Sequence, residues 1–131
     1  MTVRYLLDTD AVVDVLRGRH GVAARLARES PDDVAVSSMT VAELLYGACC
    51  SGDPVRSEHQ VQRFLEVVRQ IPFGRHAAAI HAKVRFASRR QTIGPNDLVI
   101  AATAVAVNAT VVTANVREFS RVSGLVVENW R

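Results

Sequence analysis

The sequence predicts a three-layer α/β/α domain built on a central parallel sheet of about five strands. Three observations carry this. The chain has 131 residues, the length of a single domain. Its β-branched runs are short and alternate with helical stretches, the pattern of parallel strands joined by crossover helices. Apolar residues make up 49% of it, enough for a chain of this size to bury about two-thirds of its unfolded surface without a disulfide framework.

Val3–Leu7 is a short apolar run that stops at Asp8-Thr9-Asp10, as a buried strand ending in acids would. Ala11–Leu16 reads as a helix broken by Gly18 and Gly21, and Val22–Arg28 as a second, shorter one. Ser30-Pro31-Asp32-Asp33 is a turn, and Val34–Ser37 the next strand. Thr40 opens a helix that runs to Ala48; Ser51-Gly52-Asp53-Pro54 is a loop. Val55–Val68 has helical spacing, with Val61, Phe64, Leu65 and Val68 on one face, before the pattern turns strand-like over Val67–Ile71 and stops at Pro72. Arg75–Arg90 is helical, with Ala78, Ala79, Ala82 and Phe86 expected to face inward. Gly94-Pro95-Asn96 is a turn. Asp97–Asn108 is an almost wholly apolar helix, so it belongs at the centre. Thr110–Thr113 is a strand, and Gly124 precedes a last one at Leu125–Val127.

Composition excludes several classes. The longest apolar run, Ala101–Val107 around Thr103, is far short of the roughly 18 residues that span a bilayer. Asp8 arrives before a signal-peptide core could form, so a cytoplasmic location without membrane partners is expected. The adjacent Cys49 and Cys50 lack metal-site spacing and are expected to be buried or half-buried thiols. Lys83 is the lone lysine among 16 basic residues. Arginine suits two-pronged phosphate binding, but GC-rich coding explains the bias equally, and a net charge of +3 does not establish a nucleic-acid partner.

Parallel α/β sheets place their sites at the carboxyl ends of strands. Asp8 follows the first strand; Asn115, with Glu118 beyond it, follows the fourth. Glu43 and Asp97 are expected in the first turns of their helices. Each has a plain alternative. Thr40-x-x-Glu43 fits a capping box, Asp97 a helix cap, Asp8 and Asp10 a turn, Glu118 a solvated surface. Burial favours a site. Glu43 and Asp97 sit among apolar neighbours with no basic residue within three positions. Such carboxylates cost several kcal/mol unless paired or metal-bound. A shared hard cation resolves this, and all-oxygen ligands point to Mg²⁺ or Mn²⁺ rather than Zn²⁺.

The stretches Leu6-Leu7-Asp8-Thr9-Asp10, Ser37–Gly47 around Glu43, Ile93–Ala102 around Asp97, Val111–Phe119, and Gly124–Trp130 together resemble the PIN-domain ribonucleases, specifically VapC-type toxins of bacterial toxin–antitoxin pairs. The resemblance spans the whole chain, with the stretches in the family's order. It implies an acid-lined Mg²⁺ site, Mn²⁺ being the alternative, that cuts RNA. Asp8, Glu43 and Asp97 match family acids: Asp8 and Asp97 as direct ligands, Glu43 directly or through water, with one metal or two. Where many members carry a fourth acid this chain has Asn115, so either Asn115 or Glu118 fills that position. Thr9 and Thr113 match supporting hydroxyls, and Asp10 stands where Asn is frequent. Arg85, Arg89, Arg90 and Arg117 are candidate grips on the RNA backbone. The resemblance also implies a VapB-type antitoxin, a homodimer, and promoter DNA bound only through the antitoxin complex. The apolar surfaces of Val12–Leu16 and Val61–Val68 are candidates for the antitoxin or a second protomer, or are simply core.

Two other functions compete. The chain could act mainly as a corepressor with weak nuclease activity. Asp8-Thr9-Asp10 also fits an Asp-x-Asp phosphatase, which needs a downstream lysine; Lys83 is the sole candidate. His20, His59, His76 and His81 match no family site. His76 and His81, five residues apart, miss a common helix face.

Overall fold

The computed structural model describes residues 2–131. Five strands form one parallel sheet: β1 (Tyr5–Leu7), β2 (Val34–Ser37), β3 (Arg69–Ile71), β4 (Thr110–Val112) and β5 (Val127–Glu128), in the order β3-β2-β1-β4-β5. Seven α-helices fill the connections: α1 (Thr9–Arg17), α2 (Val22–Leu26), α3 (Ser38–Cys49), α4 (Pro54–Leu65), α5 (Arg75–Ala87), α6 (Pro95–Ala106) and α7 (Val116–Phe119). The Ser30–Asp33 turn closes as a short 3₁₀ helix over Pro31–Asp33. Among the described residues no helix is long and apolar enough to cross a membrane.

Strand periodicity divides the core in two. Tyr5, Leu7, Val34, Val36 and Val112 face one side, where Val12 of α1, Val22 of α2, Leu44 of α3 and Val61 of α4 cover them. Leu6, Ala35 and Val111 face the other, under Leu98, Ile100, Ala101 and Ala104 of α6 and Phe119 of α7. The expected three layers are therefore present. The central helix is α6, whose Leu98 and Ile100–Ala104 are all buried.

The chain runs outward from β1 to β2 to β3, then crosses back to place β4 against the other edge of β1. This reversal opens a crevice beyond the carboxyl ends of β1 and β4, where open α/β sheets bind ligands.

Three expectations on packing are corrected. The inward stripe of α5 is Ala77, Ile80, His81 and Val84; Ala78, Ala79, Ala82 and Phe86 are exposed, Phe86 at 67%. Helical spacing runs through His81, whose ring packs edge-on against Phe73 at 5.7 Å. Cys49 and Cys50 are exposed, because the last turn of α3 turns Ala48 to the core instead. The cap of α3 is Ser37, whose Oγ accepts from the Thr40 amide at 3.0 Å, so Thr40 opens no capping box and Glu43 lies in the second turn.

Candidate metal site and nucleic-acid cleft

Asp8 is held from both sides of the reversal. Its amide donates to the Val112 carbonyl at 2.9 Å, tying it to β4. Its carboxylate caps α1 by accepting from the Thr9 amide at 2.7 Å and accepts from the Thr113 hydroxyl at 2.8 Å. The residue is 6% exposed. Burial, then the charge of Asp10, push its pKa up to about 7. Asp10 projects from the first turn of α1; one of its oxygens accepts from the Ala114 amide at 2.9 Å. The other is buried and has no hydrogen-bond partner among the described residues.

Glu43 reaches in from α3. The Thr9 hydroxyl donates to one of its oxygens at 2.6 Å and the Asn96 amide to the other at 3.1 Å. Asp97, in the first turn of α6, accepts from the Asn115 side-chain amide at 3.2 Å. Burial, then the charge of Glu118, raise its pKa to about 6. Glu118 is fully engaged: one oxygen accepts from the Gly94 amide and the other from Asn115 Nδ2 at 2.8 Å. The Gly94 hydrogen bond, then that from Asn115, hold its pKa below the usual range. A Cβ at position 94 would lie 3.2 Å from the Glu118 carboxylate, a tight contact from which the carboxylate would have to draw back by a few tenths of an ångström.

Asp8, Asp10, Glu43, Asp97 and Asn115 thus line one open cleft of about 510 Å³. The Thr9 hydroxyl donates to Glu43 and the Thr113 hydroxyl to Asp8. Sequence reasoning missed Asn96, which positions Glu43, although its place beside Asp97 was a signal. It also missed Asp14, Arg19, His20 and Arg131 on the cleft wall. Arg85 and Arg89 line a separate groove with Pro95 and Leu98. The Arg89 guanidinium stacks 4.1 Å from the Phe86 ring centroid. None of Arg85, Arg89, Arg90, Arg117 or Lys83 lines the acid cleft.

The donors fit a hard divalent cation. They are all oxygens, burial and then neighbouring charge disfavour ionisation of two of the carboxylates, and one buried Asp10 oxygen has no donor among the described residues. Among the described residues no three acid, histidine or cysteine side chains are grouped closely enough to hold a metal ion by themselves. An ion of the Mg²⁺ type placed in the cleft would rest on one or two carboxylates and complete its shell with waters and substrate oxygens.

The PIN domain family model matches residues 5–125. The chain belongs to the PIN-domain family. This PIN domain is 35% identical over 130 residues to ribonuclease VapC2 of Haemophilus influenzae, with 98% of each chain covered. It is 29% identical to the tRNA(fMet)-specific endonuclease VapC of Shigella flexneri, again over 98% of each. It superposes with a TM-score of 0.91 and 31% identity on a chain of VapBC2 from Rickettsia felis, a structure bound to a fragment of that pair's promoter DNA; 98% of this chain and 100% of the other are covered. The PIN domain therefore lies on the VapC branch, and its fold, with the five-strand parallel sheet, superposes on that of the Rickettsia felis chain.

Proposed function

We propose that this PIN domain is a metal-dependent endoribonuclease toxin that hydrolyses RNA phosphodiesters and is neutralised by a VapB-type antitoxin. The observation that carries this is the meeting of Asp8, Asp10, Glu43 and Asp97 in one cleft at the sheet reversal. Asp8 and Asp97 would hold Mg²⁺, with Mn²⁺ the alternative, and Glu43 would reach it directly or through water. Bound there, the cation supplies positive charge that polarises the phosphodiester and acidifies water. The protein's own part is positional. Thr113 fixes the Asp8 carboxylate, Thr9 and Asn96 fix Glu43, and Asn115 bridges Asp97 to Glu118. Glu118 spends both oxygens on Gly94 and Asn115, which supports a role in holding Asn115 rather than in binding metal. Arg85, Arg89, Arg90 and Arg117 are then outlying backbone contacts at most.

A groove between α1, α3 and α4, lined by Val13, Leu16, Leu44 and Val61, opens beside Thr9 and Glu43. An antitoxin segment seated in it would meet the acid cleft, and promoter DNA would be engaged only through that pair. The paired, DNA-bound form of the Rickettsia felis relative supports this. The uncovered Ala79, Ala82 and Phe86 of α5 support self-association as a homodimer. The setting proposed with this reading is the cytoplasm, where such an RNA substrate would be met.

The purified chain, incubated with total RNA and Mg²⁺, should generate new ends that can be mapped. Asp8→Asn should abolish them while leaving the circular dichroism spectrum unchanged. Full cleavage by Asp8→Asn, or by wild type in excess EDTA, would sink the proposal.

A further inference from the structure

The acid cleft has a basic wall. Asp14 projects from α1 and is 4% exposed. The Arg131 guanidinium clamps it, donating from Nε at 2.7 Å and from a terminal nitrogen at 3.3 Å. His20 Nδ1 lies 3.2 Å from the same carboxylate. Burial raises the Asp14 pKa, but the hydrogen bonds from Arg131 and His20 outweigh it, and the net shift is downward. Arg131, His20 and Arg19 line the same cleft as Asp8 and Asp97. Arg131 is also close enough to Asp10 to feel its charge.

Two features go beyond an ordinary ion pair. First, a guanidinium has five N–H donors, and Asp14 engages two of its nitrogens. The Arg131 side chain is 38% exposed and lines the acid cleft, so the guanidinium is not sealed off by its pairing with Asp14. Second, the α1–α2 connection carries three left-handed residues: Gly18 at φ 63°, His20 at φ 58° and Gly21 at φ 69°. The two glycines adopt this freely; His20 pays a steric cost. That fold of the loop sets Arg19 and His20 on the cleft wall instead of letting α1 continue into solvent.

We propose that Arg131, held by Asp14, binds a backbone phosphate of the RNA next to the one being cut, with Arg19 and His20 flanking it. This deepens the nuclease reading and rests on it. The acids repel a polyanion, so a strand entering the cleft needs cations beside them, and Arg131 and Arg19 are the arginines lining it. A fixed planar fork suits a phosphate better than a free one because less freedom is lost on binding. Arg131 is the contacting residue; Asp14 is a positioning residue.

The test compares wild type, Arg131→Ala, Arg131→Lys and Asp14→Asn in Mg²⁺, using a fluorescent single-stranded RNA drawn from a sequence that wild type cleaves. Arg131→Ala should raise KM about tenfold, the loss of one charge-assisted contact, with a much smaller change in kcat. The slope of log affinity against log salt should fall by about 0.7, as one lost phosphate contact on a single strand requires. Arg131→Lys should restore the salt slope but only part of the KM. Asp14→Asn should raise KM while leaving the salt slope near wild type. A structural clamp alone would lower Tm without moving either quantity. An active wild type with unchanged KM and salt slope in Arg131→Ala overturns the subsite and leaves the nuclease reading standing. Loss of antitoxin inhibition in Arg131→Ala, with RNA parameters intact, would assign the wall to the protein partner and likewise overturn it. A wild type that cleaves no RNA overturns both.

Discussion

Thr113 shows how much of the cleft depends on a residue that carries no charge. Its hydroxyl donates to Asp8 at 2.8 Å and accepts from the Asn115 amide at 2.9 Å, so one oxygen couples β1, β4 and the start of α7. It is 1% exposed. Valine has nearly the same shape and neither bond. Thr113→Val should therefore keep the packing yet free the Asp8 carboxylate and loosen Asn115. Partners that orient metal ligands are worth about 10–100-fold in metal affinity or activity. The expected outcome is a loss of that order in cleavage at low Mg²⁺, partly recovered as Mg²⁺ is raised. Equal activity at every Mg²⁺ concentration would show that Asp8 is held without Thr113. Asp10 adds the complementary case. Its unpartnered buried oxygen is the kind of defect a protein tolerates where a ligand completes it.

Ser37 does the equivalent work for a whole element. The strand β2 ends where α3 begins, with no loop between them. The fully buried Ser37 must close the strand and cap the helix at once. Ser37→Ala removes the cap bond to Thr40 inside the core. It should cost about 1–2 kcal/mol, read as a Tm lowered by several degrees, with cleavage also reduced because α3 carries Glu43. A Tm within error of wild type would show that the cap is replaceable. The same junction shows what the sequence made legible and what it did not. β2 was visible to the residue because four consecutive buried positions need apolar or small side chains. The cap was not: Ser37, Ser38 and Thr40 all have capping chemistry, and only the direction of the strand chooses among them. In α5 the confusion lay in alanine, which suits either face, and in His81, a polar type standing in an apolar stripe. The acids were legible because Glu43 interrupts an apolar run, Asp8 ends one and Asp97 begins one. Arg19, His20 and Arg131 interrupt nothing, and although Asp14 breaks the apolar run Ala11–Leu16, these residues meet only through tertiary structure, over a separation of 117 residues in the Asp14–Arg131 case.

At the scale of the molecule, the cleft sets stability against function. Asp8 titrates at about 7 and Asp97 at about 6 in the folded protein, against about 3.9 for an unfolded aspartate. Between those values the folded state holds protons that the unfolded chain has released, so stability falls as pH rises. The penalty is absent below about pH 4 and complete above about pH 7. Asp14 and Glu118 shift the other way. A lowered carboxylate adds stability that is in place once pH exceeds the unfolded value, about 4, so it does not offset the loss at higher pH. In EDTA, Tm should therefore fall between pH 5 and pH 8. Replacing the missing protons with a cation reverses this, so Mg²⁺ should raise Tm more at pH 8 than at pH 5, by mass action on the folded state. Asp97→Asn removes one of the repelling charges permanently. It should flatten the pH dependence in EDTA and raise Tm at pH 8 by about 3–6 °C, the shift that roughly 1 kcal/mol gives a chain of this size, while abolishing cleavage. A Tm in EDTA that stays level or climbs from pH 5 to pH 8, with Asp97→Asn no more stable than wild type, would mean that burial and neighbouring charge do not disfavour the ionised acids in the folded protein. The electrostatic case for a cation in the cleft would then be lost, whatever the relatives do.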